Sequence, residues 1–432
     1  MKNNIEDLYR LFLTCSSVST DSRYIPAQSL FFALKGPNFN GNLFAKEALE
    51  KGALYVVVDD ASVRRDDRYI VVDDVLKTLQ ALAAYHRQQF TIPVIGITGS
   101  NGKTTTKELV NTVLQTHYKT YFTQGNLNNH IGVPLTLLSI RKESLIDVAI
   151  IEMGANKQGD IHELCMIAQP THGIITNIGK AHLEGFKGIE GVKKGKGELY
   201  AYIYSHQGSI FVNACDSTLM TMSEYIKDRI LYGKPNTFYT ARLLKTDPFV
   251  LYETESGQAI STYLIGAHNF NNILAALCVA SYFKVPLEKA HEAIAHYIPS
   301  SNRSQLIKQG NNTIILDAYN ANPTSMQAAI ESFKELQAEH KCIILGDMLE
   351  LGEESEKEHM RLGELVANSA FDIVLFAGKE MQAAVNKCQR AYYFPDSFSI
   401  RNWLMDKRLS NYHILIKGSR GMKLEELVPF IS

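Results

Sequence analysis

The segment Gly96–Thr106 constrains most strongly what this chain can fold into. It reads Gly-Ile-Thr-Gly-Ser-Asn-Gly-Lys-Thr-Thr-Thr, follows the apolar run Pro93–Ile95 and precedes the helix-like stretch Lys107–Gln115. A strand, a glycine-rich loop and a helix N-terminus form a phosphate cradle, because exposed backbone N–H groups and the helix dipole both favour an anion. The segment therefore predicts a phosphate-binding loop in an α/β domain.

The residue types within this loop favour ATP with Mg²⁺ as the ligand. Lys103 can reach the β- and γ-phosphates, and the hydroxyl of Thr104 can ligate Mg²⁺. Only the tail of the longer pattern G-x-x-x-x-G-K-[ST] is matched, because its first glycine would fall on Ile97, and an ordinary turn before a helix is the plain alternative. The predicted nucleotide contacts are Gly99, Ser100, Asn101, Gly102, Lys103, Thr104 and Thr105.

Length and charge narrow the class of protein. A chain of 432 residues is long enough for two to four domains, and 44 basic against 45 acidic residues create no global field for nucleic acid. No apolar run has membrane-spanning length, and the six cysteines lack metal-site spacing. We expect a cytoplasmic monomer that neither binds nucleic acid nor inserts into a membrane.

Strand-like apolar runs alternate with amphipathic stretches through most of the chain, and this β-α rhythm predicts open parallel sheets covered by helices. Between Phe238 and Ile265 the pattern changes to adjacent strands. Residues 299–302, Pro-Ser-Ser-Asn, read as a linker. The predicted fold class is α/β with three domains. They are a small α/β domain at 1–90, a central phosphate-loop domain at 91–298 and a Rossmann-like domain at 299–432.

Polar side chains follow several of the predicted strands, at the sheet edge where α/β proteins bind ligands. The strand before Glu152 ends in this carboxylate, which is interpreted as a Mg²⁺ ligand, with a capping role for the next helix as the alternative. His182 follows the next strand and could supply an imidazole to a second Mg²⁺, although a loop histidine taken alone is more often structural or merely exposed. The two asparagines Asn269 and Asn272 share one helix face and suit adenine, with helix capping as the alternative for Asn269.

Two later strands end in Asp317 and in the run Lys417–Gly421. An acid suits a ribose hydroxyl, and an arginine such as Arg420 suits a carboxylate or a phosphate. Because this third region lacks its own phosphate loop, we expect it to close over the ATP site.

The assembled motifs resemble the ATP-dependent Mur ligases, in particular the branch that joins D-alanyl-D-alanine to UDP-N-acetylmuramoyl-tripeptide. The resemblance covers nearly the whole chain. It is carried by Ser19–Arg23, Ala33–Gly36, Thr98–Thr104, Asn126–Pro134, Glu152–Ala155, Asn177–Glu184, Tyr319–Pro323 and Gly346–Met348. It implies an ATP-dependent amide ligase of peptidoglycan synthesis, which activates a carboxylate as an acyl phosphate before the amine attacks.

The resemblance also implies residue roles. Catalysis would use Lys103, Glu152, His182 and Lys196, with metal ligands at Thr104, Glu152, His182 and Lys196 after carbamylation of that lysine. ATP would be held by the phosphate loop together with Asn269, Asn272, Arg303 and Asp317. The substrates would be held by Ser22, Arg23, Asn38–Asn42, Asn128, Asn129, Asn320, Asn322, Ser419 and Arg420.

Two positions depart from the family pattern. His130 stands where many relatives have Glu, and Asn40 stands where the loop commonly has an acid.

Other functions stay open at this point. They are a ligase that adds an amino acid to a shorter muramoyl peptide, a folylpolyglutamate synthetase, or a nucleotide-dependent switch.

Overall fold

The structure is a computed structural model that describes residues 4–299 and 303–431. Three sheets of mainly parallel strands follow one another along the chain, and helices cover them. The predicted α/β class with parallel sheets is confirmed. Of the predicted linker, residues 300–302 lie outside the described residues.

The first part of the chain forms a four-stranded parallel sheet. Its strands and the short hairpin between them are β1 (Val18–Ser19), β2 (Leu30–Phe32), β3 (Lys35–Gly36), β4 (Phe39–Asn40), β5 (Tyr55–Val58) and β6 (Tyr69–Val71), with sheet order β1-β2-β5-β6. The helices are α1 (Ile5–Thr14), α2 (Ala45–Glu50) and α3 (Val75–Arg87). At the end of α3 the buried Arg87 donates to the carbonyl oxygens of Ala168 (3.0 Å) and Gln169 (3.2 Å), which ties this part to the next.

The second part contains a six-stranded parallel sheet, with strands β7 (Val94–Thr98), β8 (Thr120–Phe122), β9 (Val148–Glu152), β10 (His172–Ile175), β11 (Ser209–Asn213) and β12 (Arg229–Tyr232) in the order β12-β11-β10-β7-β9-β8. Its helices are α4 (Lys103–Leu114), α5 (Gly132–Leu138), α6 (Asp160–Ala168), α7 (Leu183–Phe186), α8 (Ile189–Ser205), α9 (Ser217–Ser223), α10 (His268–Tyr282) and α11 (Leu287–His296). All residues of β7 and β9 are buried, as helices on both faces of a parallel sheet require.

The expected adjacent strands before α10 form a three-stranded antiparallel sheet of β13 (Arg242–Lys245), β14 (Leu251–Glu253) and β15 (Ala259–Ser261). The third part of the chain has six strands, β16 (Gln305–Gln309), β17 (Asn312–Asp317), β18 (His340–Gly346), β19 (Ile373–Ala377), β20 (Tyr392–Phe394) and β21 (Tyr412–Lys417), in the order β16-β17-β21-β18-β19-β20. Its helices are α12 (Pro323–Glu335), α13 (Ser355–Ala367), α14 (Gln382–Val385) and α15 (Ser397–Lys407).

Parallel pairing places the polar strand ends at common edges. β7, β9 and β10 are neighbours, so the phosphate loop, Glu152 and the segment after β10 emerge side by side. In the third sheet β17 pairs with β21, with Asp317 opposite Lys417. Within residues 4–299 and 303–431, every helix falls short of the length and apolarity that a membrane span requires.

Candidate active site

A cavity of about 460 Å³ lies between the second and third parts of the chain. The loop after β7, the ends of β9, β17 and β21, and the start of α10 all contribute to its wall. The site residues predicted from the sequence that line it are Ser100, Asn101, Gly102, Lys103, Thr104, Thr105, Asn128, Asn129, Glu152, His182, Asn269, Asn272, Arg303, Asp317 and Asn320. The fold thus brings most of the nucleotide contacts implied by the motifs to one place.

The loop between β7 and α4 has a backbone that only glycine suits at two positions. Gly99 has φ of +141°, and a Cβ there would stand 1.9 Å from Thr176 Oγ1. Gly102 has φ of +78°, and a Cβ there would stand 2.7 Å from Asn272 Oδ1. Both glycines therefore permit a left-handed conformation and a close approach by side chains of neighbouring elements.

The segment after β10 holds this loop in shape. The Asn177 carbonyl accepts from Ser100 N (3.0 Å), and its side chain accepts from Asn101 N (3.1 Å). The Thr176 hydroxyl donates to the Asn101 carbonyl oxygen at 2.6 Å. Hydrogen bonds from a neighbouring strand end therefore preorganise the phosphate loop before any ligand arrives.

Lys103 begins α4 and turns back over the loop. Its Nζ donates to the carbonyl oxygens of Gly99 (2.8 Å) and Ser100 (3.2 Å). Burial lowers the pKa of Lys103 to about 8, while the carboxylate of Glu152 acts in the opposite direction. An ammonium group held in this position can exchange backbone oxygens for phosphate oxygens, which carry more negative charge.

Glu152 ends β9 and has only 1% of its surface exposed. Its Oε1 accepts from Thr104 Oγ1 (3.1 Å) and Asn128 Nδ2 (2.8 Å). Its buried Oε2 has no hydrogen-bond partner among the residues that the structure describes. Lys107 Nζ lies 3.8 Å from this oxygen. A carboxylate oxygen without a hydrogen bond, beside a hydroxyl and a phosphate loop, fits the way Mg²⁺ binds together with nucleotide phosphates. The alternative that Glu152 caps the next helix is wrong, since α6 begins at Asp160 after Gly159.

In the part of the chain that the structure covers, no group of three or more His, Cys, Asp or Glu side chains is arranged to hold a metal ion by itself. A nucleotide-bound Mg²⁺ does not need such a group, because it usually takes one or two carboxylates together with phosphate oxygens and water.

His182 and Lys196 occupy different surroundings. His182 lines the cavity, and its Nδ1 is bonded to Glu350 Oε2 from the third part of the chain. Lys196 lies behind the cavity wall with 1% of its surface exposed, and its Nζ is 3.3 Å from the Ala155 carbonyl oxygen. Burial, and then the positive charge of Lys103, hold the pKa of Lys196 far below its ordinary value.

The predicted adenine and ribose contacts are paired with protein groups. Asn269 donates to the Ile265 carbonyl oxygen (2.8 Å), and Asn272 donates to Asn269 Oδ1 (2.9 Å). Because α10 begins at His268 after Ala267, the capping interpretation of Asn269 is wrong. Asp317 Oδ2 lies 2.5 Å from the buried Lys417 Nζ.

The residues expected to contact the muramoyl peptide have structural bonds of their own. Asn128 holds Glu152, and Asn129 Oδ1 accepts from Ile131 N (3.1 Å) and Gly132 N (2.9 Å) at the start of α5. Both nevertheless line the cavity, as does His130.

The residues expected to hold the nucleotide sugar lie in the first part of the chain and do not line this cavity. Arg23 is exposed and pairs with Asp21 at 2.8 Å, and the Ser22 carbonyl accepts from Lys51 Nζ at 2.9 Å. Asn40 Oδ1 accepts from Asn42 N at 3.1 Å. An amide oxygen thus caps the short helix that follows, a role that an acid at position 40 could also fill.

Three further predicted substrate contacts in the third part do not line the cavity. Asn322 instead caps α12 and bonds to Asn101, with Nδ2 2.7 Å from Asn101 Oδ1. The Ser419 hydroxyl accepts from Leu349 N at 3.0 Å. Arg420 lies over the ring of Tyr319, 5.1 Å from its centroid, and borders a neighbouring cavity.

Several residues near the site were not predicted. Glu108, Tyr297 and Lys417 line the cavity, and Glu350 contacts His182. A helical signal could have found Glu108, since it lies four residues after Thr104 on the same face of α4. Glu350 gave no signal, because its position depends on how the third part of the chain packs.

Comparisons with known proteins match nearly the whole chain. Residues 14–87 match the model of the Mur ligase family catalytic domain, residues 97–280 the Mur ligase middle domain, and residues 302–420 the Mur ligase glutamate ligase domain. The UDP-N-acetylmuramoyl-tripeptide–D-alanyl-D-alanine ligase of Bacillus subtilis (strain 168) is 33% identical over 433 residues, covering 95% of this chain and 92% of the relative.

Solved structures show the same fold. MurF from Acinetobacter baumannii superposes with a TM-score of 0.88 at 30% identity, covering 99% of this chain and 98% of that one. MurF ligase from Thermotoga maritima, solved in complex with ADP, superposes with a TM-score of 0.84 at 27% identity, covering 97% of each chain. The three matching family models, together with similarity in sequence and fold over nearly the full chain, show that this chain belongs to the Mur ligase family.

Proposed function

We propose that the protein joins D-alanyl-D-alanine to the terminal carboxylate of UDP-N-acetylmuramoyl-tripeptide and converts ATP to ADP and phosphate. The observation that carries this proposal is the convergence of Lys103, Glu152 and Arg303 on one cavity. Two cations and a metal-binding acid around a phosphate loop suit phosphoryl transfer from ATP. The relatives named for this reaction match nearly the full chain, and this favours D-alanyl-D-alanine and the muramoyl tripeptide over the substrates of other members of the family.

The reaction has two steps. A carboxylate oxygen of the tripeptide attacks the γ-phosphorus of ATP, the bond from that phosphorus to the bridging oxygen breaks, and ADP leaves. The dipeptide amine then attacks the acyl carbon, the C–O bond to phosphate breaks, and the nitrogen loses a proton as the amide forms. Lys103 offsets charge on the transferring phosphoryl group. Its position at the start of α4 and its hydrogen bonds to the loop carbonyl oxygens keep its ammonium group oriented.

The residues that would hold Mg²⁺ are Thr104 and Glu152, with His182 and a carbamylated Lys196 for a second ion. When bound, Mg²⁺ neutralises phosphate charge. The protein itself positions the first pair through the bond from Thr104 to Glu152 and the amide of Asn128.

Carbamylation of Lys196 is part of the proposal. The low pKa of this buried amine favours its neutral form, which is the form that can bond to CO₂ and release a proton. The product is a carboxylate in place of a cation. Incubation with ¹³C-labelled CO₂ should give a carbamate NMR signal that is absent in Lys196→Met, and equal spectra would overturn this part.

One chain supplies all of the proposed ligands, so we propose that a monomer is active.

We also propose that the protein works in the cytoplasm. Five of its six free cysteines are buried and one is exposed, and unpaired thiols of this kind suit a reducing compartment.

The deciding experiment supplies ATP, Mg²⁺, D-alanyl-D-alanine and muramoyl tripeptides that end in diaminopimelate or in lysine. We expect a nucleotide product heavier by one dipeptide less one water, and phosphate release that needs both acceptor and dipeptide. Phosphate release unaffected by either would favour a nucleotide-dependent switch. A product formed with a single amino acid, or with a folate, would point to another ligase of the superfamily.

A further inference from the structure

Two lysines stand one turn apart on α4, and their ammonium groups meet different surroundings. Lys103 and Lys107 are separated by four positions, so they lie on the same side of the helix. Lys103 Nζ donates to two carbonyl oxygens of the phosphate loop. Lys107 Nζ instead lies 3.8 Å from Glu152 Oε2, a distance that leaves an ion pair without a hydrogen bond.

Burial makes Lys107 dependent on this ion pair. Its side chain has 1% of its surface exposed, and Nζ is 5.4 Å from the centroid of the Phe122 ring. Burial lowers the pKa of Lys107, while the carboxylates of Glu152 and Glu108 act in the opposite direction. Because a buried ammonium group is costly without an opposite charge nearby, Glu152 offsets part of the cost of burying Lys107.

The carboxylate of Glu152 is held in its orientation by other bonds. Its Oε1 accepts from Thr104 Oγ1 and Asn128 Nδ2, and its backbone N–H donates to Thr123 Oγ1 at 3.0 Å. Its Oε2 has no hydrogen-bond partner in the part of the chain that the structure describes. The oxygen that is left to bind a metal ion is therefore the oxygen that already faces Lys107.

The two members of this ion pair border different spaces. Glu152 lines the 460 Å³ cavity, whereas Lys107 lines a neighbouring cavity of about 680 Å³. A divalent ion that reached Glu152 from the first cavity would bring two positive charges close to the ammonium group on the other side. Like charges a few ångströms apart repel strongly where little water screens them. Lys107 and a metal ion therefore compete for the negative charge of one carboxylate.

We propose that Lys107 is a positioning residue that keeps divalent ions off Glu152 until a nucleotide arrives. This inference rests on the proposed function and adds an order of binding to it. Without nucleotide, the ammonium group already balances the charge of Glu152, and a metal ion would add positive charge that nothing offsets. Phosphate oxygens beside Lys103 and Thr104 supply the negative charge that the ion needs. The protein then takes up metal and nucleotide together.

The test measures metal binding without nucleotide and without turnover. Mn²⁺ is titrated into the full-length protein, and the free ion is counted by electron paramagnetic resonance. We expect Lys107→Met, which removes the charge and keeps an unbranched side chain, to bind one Mn²⁺ about tenfold more tightly than the wild type, or better. Lys107→Arg keeps the charge and should bind Mn²⁺ as weakly as the wild type.

A second substitution shows where the additional ion binds. Adding Glu152→Gln to Lys107→Met should abolish the gain in Mn²⁺ affinity, because the competing carboxylate is then gone. Lys119→Met is the matched control, since it removes an exposed lysine that lines neither cavity, and it should bind Mn²⁺ like the wild type. Thermal unfolding checks that each variant is folded, and Lys107→Gln replaces Lys107→Met if the latter is not.

Three results would overturn the inference. They are an unchanged or weaker Mn²⁺ affinity in a folded neutral variant of Lys107, a gain that survives Glu152→Gln, and Mn²⁺ binding by the nucleotide-free wild type that is tight and is lost in Glu152→Gln. The third result needs no substitution of Lys107. Because the titration uses no substrate, its failure is distinct from failure of the proposed function, which appears as absence of the amide product.

Discussion

At the scale of single residues, the phosphate loop has a lysine whose charge is held in place before the nucleotide arrives. Lys103 Nζ bonds to two loop carbonyls, and burial lowers its pKa to about 8. The cost of burying this charge is partly offset by those bonds and by Glu152. A phosphate group at the loop would offset it further.

We expect Lys103→Ala to lower turnover about a hundredfold or more, by analogy with the loss of one preorganised donor to a developing charge. Phosphate release with all three substrates measures the effect. Lys194→Ala, which removes an exposed lysine of α8, is the matched control. Near-normal turnover in a folded Lys103 variant would contradict the catalytic role.

A second residue-scale prediction concerns acid stability. His172 begins β10 among the rings of Phe211, Tyr282 and Phe283, and burial lowers its pKa to about 4 from an ordinary 6.5. Between these values the unfolded chain binds more protons than the folded one. The free energy of unfolding must therefore fall as pH drops from 6.5 to 4, by at most about 1.4 kcal/mol per pH unit from this group.

Urea unfolding at a series of pH values checks this prediction. In His172→Gln the slope across that window should be smaller than in the wild type, because the titrating group is gone. A slope identical in both proteins would show that other groups determine the acid sensitivity.

At the scale of elements, the start of α12 shows one residue with two roles. Asn322 Oδ1 accepts from Ser325 N (2.9 Å), and Ser325 Oγ accepts from Asn322 N (3.1 Å), so the two form a capping box ahead of Pro323. Asn322 Nδ2 also bonds to Asn101 in the phosphate loop. The start of α12 is thereby hydrogen-bonded to the phosphate loop.

Replacement of Asn322 by alanine should separate these roles. We expect a loss of about 1 kcal/mol in the free energy of unfolding, the usual cost of losing a helix cap, together with a higher KM for ATP. Asp396→Ala is the matched control, since Asp396 caps α15 through a 2.8 Å bond to Ser399 N and has no bond to the phosphate loop. Equal KM values for ATP in the two variants would contradict a link between helix start and loop.

At the scale of the whole molecule, the third part of the chain is held against the second by polar contacts. Lys180 Nζ lies 2.6 Å from Glu358 Oε1, and Lys180 N donates to Thr324 Oγ1 at 3.0 Å. Glu358 has 4% of its surface exposed, so this ion pair is shielded from solvent more than most surface pairs. These contacts stabilise the arrangement in which both parts line the 460 Å³ cavity.

Reversing the charge in Glu358→Lys should weaken this closed arrangement, because the new positive side chain would face both Lys180 and Arg361, which now pair with Glu358 Oε1 at 2.6 and 2.8 Å. We expect a larger radius of gyration in small-angle scattering with a non-hydrolysable ATP analogue, and turnover several-fold lower. The double variant Lys180→Glu with Glu358→Lys restores opposite charges and should recover part of both losses. If the single and double variants behave alike, the pair does not control closure.

Much of the fold could be predicted because buried parallel strands read as short apolar runs. The sequence pattern did not predict the two-residue strands β1, β3 and β4. It also did not predict β12, at one edge of its sheet, or β16, whose residues Gln305–Gln309 are half-buried and mixed in polarity. Edge strands have only one neighbour and weaker burial, so their pattern is weaker. The boundaries of the three domains and the roles of the individual site residues stay predictions.

The sequence by itself determined most of the alternation of strands and helices along the chain, the phosphate loop and the acids and amides that end its strands. These are local properties, set by glycine conformations and by hydrophobic periodicity over a few residues. Only the tertiary structure decided that Lys107 would be buried beside Glu152, that Glu350 would meet His182, and that Arg303 and Arg420 would share Tyr319. Such contacts join residues far apart in the chain, and they depend on how separate layers pack.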